Sequence, residues 1–444
     1  MLTTDESLTL TPQDYSLLTD LYELTMAACY VGEGLAERQA SFELFVRHLP
    51  EDFGYLIAMG LAQGLDYLEN LSFSDQQIEA LQETGIFDQV PPQFWSILQT
   101  GGFTGDVWAV PEGTAVFANE PFLRVEAPLW QAQMVETYLL NTLNYQTLIA
   151  TRAARMRNVA GEKATLLEFG TRRAFSPQGS LWAARAALAA GFDGTSNVLA
   201  ALQLNQKPSG TMAHALVMAI KAVSGSEDEA FAAFHRYFPG ATLLIDTYDT
   251  IAAAERLAEK MQSGKGEIRG VRIDSGDLVT LSQKVRSLLP TVKIFASGDI
   301  DEWEILRLRD ADASIDGYGV GTRLVTGKPV NGVYKLVEID GKPTMKQSSH
   351  KMTYPGRKQI FRTYDQGIIV KDRLALADEP IQKDEIPLLQ LVMKAGNRLQ
   401  QPESLGKIRQ RVQGSVKSLP KETHTLHNPT TISVNISDAL KSLR

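Results

Sequence analysis

Cysteine is almost missing from this chain: Cys29 is the only one in 444 residues. An internal disulfide is therefore impossible, and a zinc site built on cysteines cannot form. Long apolar runs are missing too, and no stretch approaches the roughly 18 consecutive apolar residues of a membrane span. The opening segment, MLTTDESLTLTPQDYS, has neither a basic start nor an apolar run, so no signal peptide is expected. Basic tracts are also lacking. The densest, around Lys407, Arg409 and Arg411, alternates with Gln and reads as a solvated helix face. With a net charge of −8, neither nucleic acid nor a membrane is an expected partner, and any anion must be held by local arginines and helix N-termini. These absences together predict a soluble, cytoplasmic protein.

A hydrophobic share of 44% with 22% charged residues is ordinary for a folded protein and excludes a disordered or fibrous chain. The length exceeds what one core usually serves, so two domains are expected. Apolar residues at helical spacing predict a helix from Pro12 to Tyr30, with Thr11 and Asp14 as alternative caps. A strand is expected over Ala40 to Val46, and antiparallel strands over Gly105 to Glu126. Helices are expected at Ile57 to Asn70 and Asp75 to Thr84. From Leu129 to Thr326 the texture changes. Short apolar runs end in polar, Gly-containing turns: ATLLEFG (164–170), ATLLIDTYD (241–249), IRGVRIDSGD (268–277), VKIFASGD (292–299) and SIDGYGVGT (314–322). Helical segments at Thr250–Met261, Leu278–Leu289 and Asp301–Ala311 alternate with them. That alternation predicts an α/β domain over residues 129–326 with a parallel sheet, closed as a distorted (β/α) barrel. Strand-like pieces at Val333–Ile339 and Ile368–Val370 follow, then a helix near Ser404–Ser418. They are expected to complete the N-terminal α+β domain, giving 1–128 plus 327–444.

In such a barrel, function gathers at the carboxyl ends of the strands. Those ends carry Arg172 and Arg173, then Asp246, Tyr248 and Asp249, then Arg272, Asp274, Ser275 and Asp277, and finally Ser297 and Asp299. Taken singly, Asp249 and Asp301 read equally well as helix caps. GYGVGT supplies Gly317, Gly319, Gly321 and Thr322 late in the barrel, where glycines let backbone amides approach a phosphate closely. In RIDSGD, strand alternation turns Arg272 and Asp274 to one face. The pair is either a structural salt bridge or an anion clamp, with Asp274 or Asp277 free to meet Mg2+. SGTMAHA (209–215) precedes a strongly apolar helix and sets His214 in its first turn, where the helix dipole favours a neutral imidazole. A packed or capping histidine is the plainer alternative.

Taken together these residues resemble nicotinate phosphoribosyltransferase, a type II phosphoribosyltransferase. The matching blocks are LLTDLYELTMA (17–27), FELFVRHLP (42–50), FGTRRA (169–174), GTSNVLAA (194–201), GTMAHA (210–215), IDTYDT (245–250), GVRIDSGDL (270–278) and YGVGTRLVT (318–326), in that order. The resemblance implies a distorted α/β barrel with a sandwich-like N-terminal domain completed by C-terminal segments, assembled as a head-to-tail homodimer with shared active sites. It implies an ATP-dependent, ligase-type reaction of NAD biosynthesis. Nicotinate, phosphoribosyl pyrophosphate and ATP are the small-molecule partners, Mg2+ is the metal, and His214 carries a phosphoryl group. By motif, Tyr22 from a neighbouring subunit and Phe169 would stack on the pyridine, with Thr211 and Arg272 touching the base. Arg172, Gly298, Asp299, Gly319, Gly321 and Thr322 would hold the phosphoribosyl donor, and Asp274 and Asp277 would face Mg2+.

Two departures narrow the expectation. The adjacent acidic pair of type I phosphoribosyltransferases is absent from IDTYD. Nicotinamide-using relatives carry an acid after the Gly-Thr of the GTSN turn, where this chain has neutral Ser196 and Asn197. A carboxylate base is therefore favoured over its amide. The rival expectations are a nicotinamide enzyme, a catalytically silent relative that binds phosphoribosyl pyrophosphate and, more weakly, a quinolinate-using enzyme.

Overall fold

The computed structural model describes residues 8–264, 267–347 and 353–444. By Cα proximity the chain forms two compact units, residues 1–148 with 329–444 and residues 149–328.

The first unit is built on two main sheets, with a two-stranded ladder beside them. The larger is antiparallel and orders its strands Lys342–Pro343, Gly332–Ile339, Gln39–Val46, Pro121–Pro128, Asp106–Ala109, Gln390–Lys394 and Asn397–Arg398. C-terminal strands thus complete a sheet begun by N-terminal ones. The smaller sheet runs Glu385–Pro387, Lys358–Asp365, Ile368–Leu376 and Ser433–Ile436. Leu44 and Val125 of the first sheet share one apolar core with Ile360 and Leu374 of the second, which makes the unit sandwich-like. Gln39–Val46 is buried along nearly its whole length rather than at alternate positions, as expected for a strand covered on both faces.

Three expectations change here. The N-terminal helix is interrupted: a 3-10 turn at Pro12–Asp14 is capped by Thr11, and the α-helix begins only at Leu21 behind Asp20. Thr19 and Asp20 have short polar side chains that bond locally and favour a cap over a helix interior. The helix expected from Ile57 starts at Leu61. Leu56–Ile57 pairs instead with Ala115–Val116, and Gly60 turns the chain at φ 102°. The units divide at 148/149 and 328/329, rather than at 128/129 and 326/327. The reason lies in Leu129–Met134 and the first half of Glu136–Ala160. Leu129, Ala132, Tyr138, Leu139 and Leu143 bury themselves in the first unit's core. The helix Pro92–Thr100 was not anticipated.

The second unit holds six parallel strands: β1 (Thr165–Glu168), β2 (Gly194–Thr195), β3 (Leu243–Leu244), β4 (Gly270–Ile273), β5 (Lys293–Ser297) and β6 (Gly317–Val320). Their order is β2-β1-β6-β5-β4-β3. No ladder joins β2 to β3 among the described residues, so the barrel is open along that seam. The helices Thr250–Gln262, Leu278–Leu288 and Glu302–Asp310 follow β3, β4 and β5 at the expected places. They are capped by Asp249, Asp277 and Asp301, each accepting a backbone N–H. Asp249 and Asp301 are therefore caps. No helix among the described residues is long and apolar enough to cross a membrane.

Glu23, fully buried in the first unit, gives a pH-dependent test of this packing. Burial pushes its carboxyl up from 4.5 to about 7, against hydrogen bonds from Thr19 and Thr137. Between those values the folded state keeps a proton that the unfolded chain releases, so stability falls as pH rises through the window. Glu23→Gln removes that titration. From pH 5 to pH 8 the variant's unfolding free energy, measured in urea, should gain on the order of 2 kcal/mol relative to the parent. Parallel pH profiles would show that Glu23 does not titrate there.

Candidate active site

The carboxyl ends of the second unit's strands surround a cavity of about 740 Å³. Phe169, Arg172, Thr211, Arg272, Asp274, Gly298, Asp299, Gly319, Gly321 and Thr322 all line it. Ten residues singled out by motif, spread from Phe169 to Thr322, thus converge on one hollow.

Arg272 is its centre. Strand alternation places Arg272 and Asp274 on one side, and Nη2 donates to Asp274 Oδ1 at 2.7 Å. Nε donates to Ser297 Oγ at 2.7 Å, and Nη1 donates to Thr211 Oγ1 at 3.1 Å. Ser297 in turn donates to Asp274 Oδ1 at 2.5 Å, which closes a three-membered network. Three of the five guanidinium N–H donors are thereby committed. A fourth contact, from Nη1 to the Met212 carbonyl at 3.5 Å, lies at the limit of a hydrogen bond. The plane of donors keeps capacity for an anion in the cavity. Burial raises Asp274, but hydrogen bonds from Ser297 and Arg272 and the charges of Arg272 and His214 outweigh it. The carboxyl is held below its ordinary value.

The Phe169 ring lies beside this cation, with the Arg272 guanidinium carbon 5.5 Å from the ring centroid. It fits because Gly319 has no side chain: a Cβ there would stand 2.5 Å from the ring. Beneath it, Glu168 is 1% exposed and accepts from the Gly170 amide and the Thr195 hydroxyl. Burial raises its carboxyl despite both bonds. Thr195 also accepts from the Asn197 amide, and Asn197 caps Val198–Gln203, so one buried network fixes both turns flanking Phe169 and Ser196.

The rim is made of turns. Gly298 and Asp299 adopt φ of 90° and 50°, and a Cβ at Gly298 would collide with the Asp274 carbonyl. Arg172 and Arg173 sit exposed on the short 3-10 turn Thr171–Arg173 and both face the cavity. Such loose cations suit a ligand carrying several negative charges.

His214 opens the helix His214–Ser224, as the sequence indicated, with Ala213 as N-cap. It does not itself line the cavity, although its neighbours Met212 and Ala213 do. Its Nδ1 is 3.0 Å from Thr247 Oγ1. Asp277 also stands outside the cavity lining. Its carboxylate accepts from the Val279 amide and the Thr280 hydroxyl, which spends it on capping the next helix. Asp246 supports Asp274 from below: its Oδ2 accepts from the Asp274 amide at 2.8 Å and the Ser275 hydroxyl at 2.7 Å. Tyr22 belongs to the first unit, on Leu21–Gly32, and is 44% exposed. Burial and the nearby Glu136 raise its hydroxyl above its ordinary value.

Sequence reasoning placed Arg173 at a strand end without a ligand role and did not assign Ser209, Met212 or Phe238 to the site, yet all four line it. Arg173 and Met212 lie inside recognised motifs and Ser209 adjoins one, so all three were within reach. Phe238 closes the helix Glu227–Tyr237 at 58% exposure, and no local pattern distinguishes it from any surface aromatic.

Three models of one family match in order along the chain. The nicotinate phosphoribosyltransferase (NAPRTase) N-terminal domain covers residues 17–144, the NAPRTase family model covers 164–368, and the C-terminal domain covers 382–444. Nicotinate phosphoribosyltransferase pncB2 of Mycobacterium tuberculosis (strain ATCC 25618 / H37Rv) is 40% identical over 445 residues, spanning 97% of this chain and 94% of that protein. Nicotinate phosphoribosyltransferase of Bacillus subtilis (strain 168) is 39% identical over 464 residues, spanning 95% and 93%. The crystal structure of human nicotinic acid phosphoribosyltransferase superposes with a TM-score of 0.82 at 30% identity, over 96% of this chain and 99% of that one. The chain belongs to the nicotinate phosphoribosyltransferase family.

Proposed function

We propose that this protein joins nicotinate to phosphoribosyl pyrophosphate, releasing nicotinate mononucleotide and pyrophosphate, as a step of NAD biosynthesis. The observation that carries it is the Arg272 guanidinium, fixed by Ser297, Thr211 and Asp274 beside the Phe169 ring. A planar cation next to an aromatic face is matched to a flat ring bearing a carboxylate. The donor's charges meet Arg172 and the turns at Gly298–Asp299 and Gly319–Thr322 on the rim.

The chemistry asks little of acid–base groups. The pyridine nitrogen attacks the anomeric carbon with its own lone pair, the bond to pyrophosphate breaks, and no proton needs removal. What the protein supplies is orientation and charge: Phe169 stacks the base, Arg272 clamps its carboxylate, and Arg172 neutralises the leaving group. Ser196, neutral and on the cavity wall, does not repel that carboxylate. Mg2+ would supply further charge neutralisation at the diphosphate. Of the two carboxylates that line the cavity, Asp274 and Asp299, the first is the one expected to face it, whereas Asp277 is occupied as a cap. Magnesium commonly uses one or two carboxylates and otherwise phosphate and water, so this lining is compatible with it.

His214 couples the reaction to ATP in this account by carrying a phosphoryl group. Its Nδ1 is engaged by Thr247, which leaves Nε2 as the nitrogen for that group. Tyr22 acts on the site of a second copy in a homodimer, supported by its exposure on the first unit. A cytoplasmic setting is supported by the single cysteine.

Two experiments test these roles. Nicotinate mononucleotide formation is measured with and without ATP in the parent and in His214→Ala. ATP should accelerate the parent severalfold and leave the variant unchanged; equal stimulation of both removes the phosphohistidine role. For the shared site, Tyr22→Ala and Arg272→Ala, each nearly inactive alone, are co-expressed in equal amounts. Random pairing gives half mixed dimers with one intact site each, so about a quarter of parental activity should return. No recovery contradicts a site shared between subunits.

A further inference from the structure

(β/α) barrels usually fill their interior with layers of bulky branched side chains, so that the centre is packed. This barrel does not. On β1 the burial alternates: Leu166 and Glu168, facing the helices, are buried, whereas Thr165 and Leu167 are only partly so. The same inversion holds on β4 and β5, where Val271, Ile273, Ile294 and Ala296 are buried while Arg272 and Phe295 keep accessible surface.

Glycines explain the space. On β6 the inward positions are Gly317 and Gly319, and a Cβ at either would strike the ring of Phe295 or Phe169 at about 2.5 Å. On β4 the inward neighbour of Arg272 is Gly270, where a Cβ would stand 2.8 Å from Thr242 Oγ1. What remains is a second cavity of about 310 Å³. It shares Phe169, Thr211, Arg272 and Gly319 with the larger one and continues inward to Thr165, Leu167, Thr242 and Phe295.

The two cavities therefore meet where the base is assigned. In the reaction proposed above, the ring nitrogen must point towards the donor on the rim. The ring edge remote from nitrogen then points inward, towards the second cavity. We propose that this inner cavity is a subsite for ring substituents, and that the protein converts nicotinates bearing a small apolar group on that remote edge. The lining fits this class: Leu167 and Phe295 offer apolar contact, and Thr165 and Thr242 are small and uncharged. A charged substituent would meet no counter-ion among the lining residues other than Arg272, which the carboxylate engages. A methyl or ethyl group is several times smaller than the space.

This inference rests on the proposed function, and the two fail separately. The experiment compares nicotinate, 5-methylnicotinate and 5-ethylnicotinate, each with phosphoribosyl pyrophosphate and ATP, in the parent, in Thr242→Phe and in Leu167→Ala. Neither Thr242 nor Leu167 has a role in bond formation in the mechanism proposed above. The parent should convert both analogues with kcat/KM no less than about a tenth of that for nicotinate, since the added carbon enters open, apolar-lined space instead of meeting a clash. Thr242→Phe, which fills the inner cavity, should lower the analogue-to-nicotinate ratio at least tenfold through KM. Leu167→Ala, which enlarges it, should raise the ratio for the ethyl compound. A parent that converts nicotinate and rejects both analogues overturns the subsite, as does a ratio that neither variant moves. A parent inactive on nicotinate overturns the proposed function instead. Loss of folding in Thr242→Phe leaves the decision to the parent and Leu167→Ala, whose expected change has the opposite sign from damage.

Discussion

The position of one guanidinium governs this site. Arg272 lies inside the barrel, where an unpaired cation would be costly, and its surroundings answer each part of that cost: Ser297 at Nε, Thr211 at Nη1, Asp274 at Nη2, and the Phe169 ring alongside. The sheet register makes the arrangement possible. Arg272 pairs with Phe295, so Ser297 lies two residues further along on the same face. Ser297 pairs with Gly319, and Gly319 with Leu167, which brings Phe169 next in the row. A slip of one residue in any of these ladders would turn the row towards the helices and empty the site.

A second layer holds the first. The buried Glu168 ties the Gly170 amide to the Thr195 hydroxyl, and Asn197 extends the tie to the next helix. Asp246 fixes the backbone of Asp274 in the same manner. Both carboxylates hold protein groups in place. Their work is to prevent the turns that carry Phe169, Ser196 and Asp274 from moving independently, which is what pre-organised recognition requires. The rim, by contrast, is loosely held: Arg172 and Arg173 are exposed on a single 3-10 turn and can adjust to a polyanion.

Much of this was legible in the residues themselves. Period-two alternation predicted the Arg272–Asp274 pair, and the βα spacing located the strands whose ends converge on the cavity. Other features depend on tertiary contacts that no local pattern encodes. Asp274 and Asp277 look alike in RIDSGD, but only the first faces the cavity, because the second falls at the first free amides of a helix and is drawn into capping it. Phe238 reaches the site from the end of a helix whose sequence carries no motif. The unit boundary moved because Leu139 and Leu143, on a helix continuous with the second unit, pack into the first unit's core. The inner cavity is invisible in the sequence, since it depends on which side chains Gly270, Gly317 and Gly319 face across the sheet: Thr242, Phe295 and Phe169.

The central claim is that Arg272 chooses the base by its carboxylate. It is tested by the ratio of kcat/KM for nicotinate to that for nicotinamide, measured in the parent and in Arg272→Gln. A site built to bind a carboxylate should give the parent a preference of at least about a hundredfold, because the amide brings no negative charge to the guanidinium's remaining donors. In Arg272→Gln that preference should collapse to within a few-fold of unity, whatever activity survives. A parent that prefers nicotinamide, or a variant that keeps the full preference for nicotinate, contradicts the account.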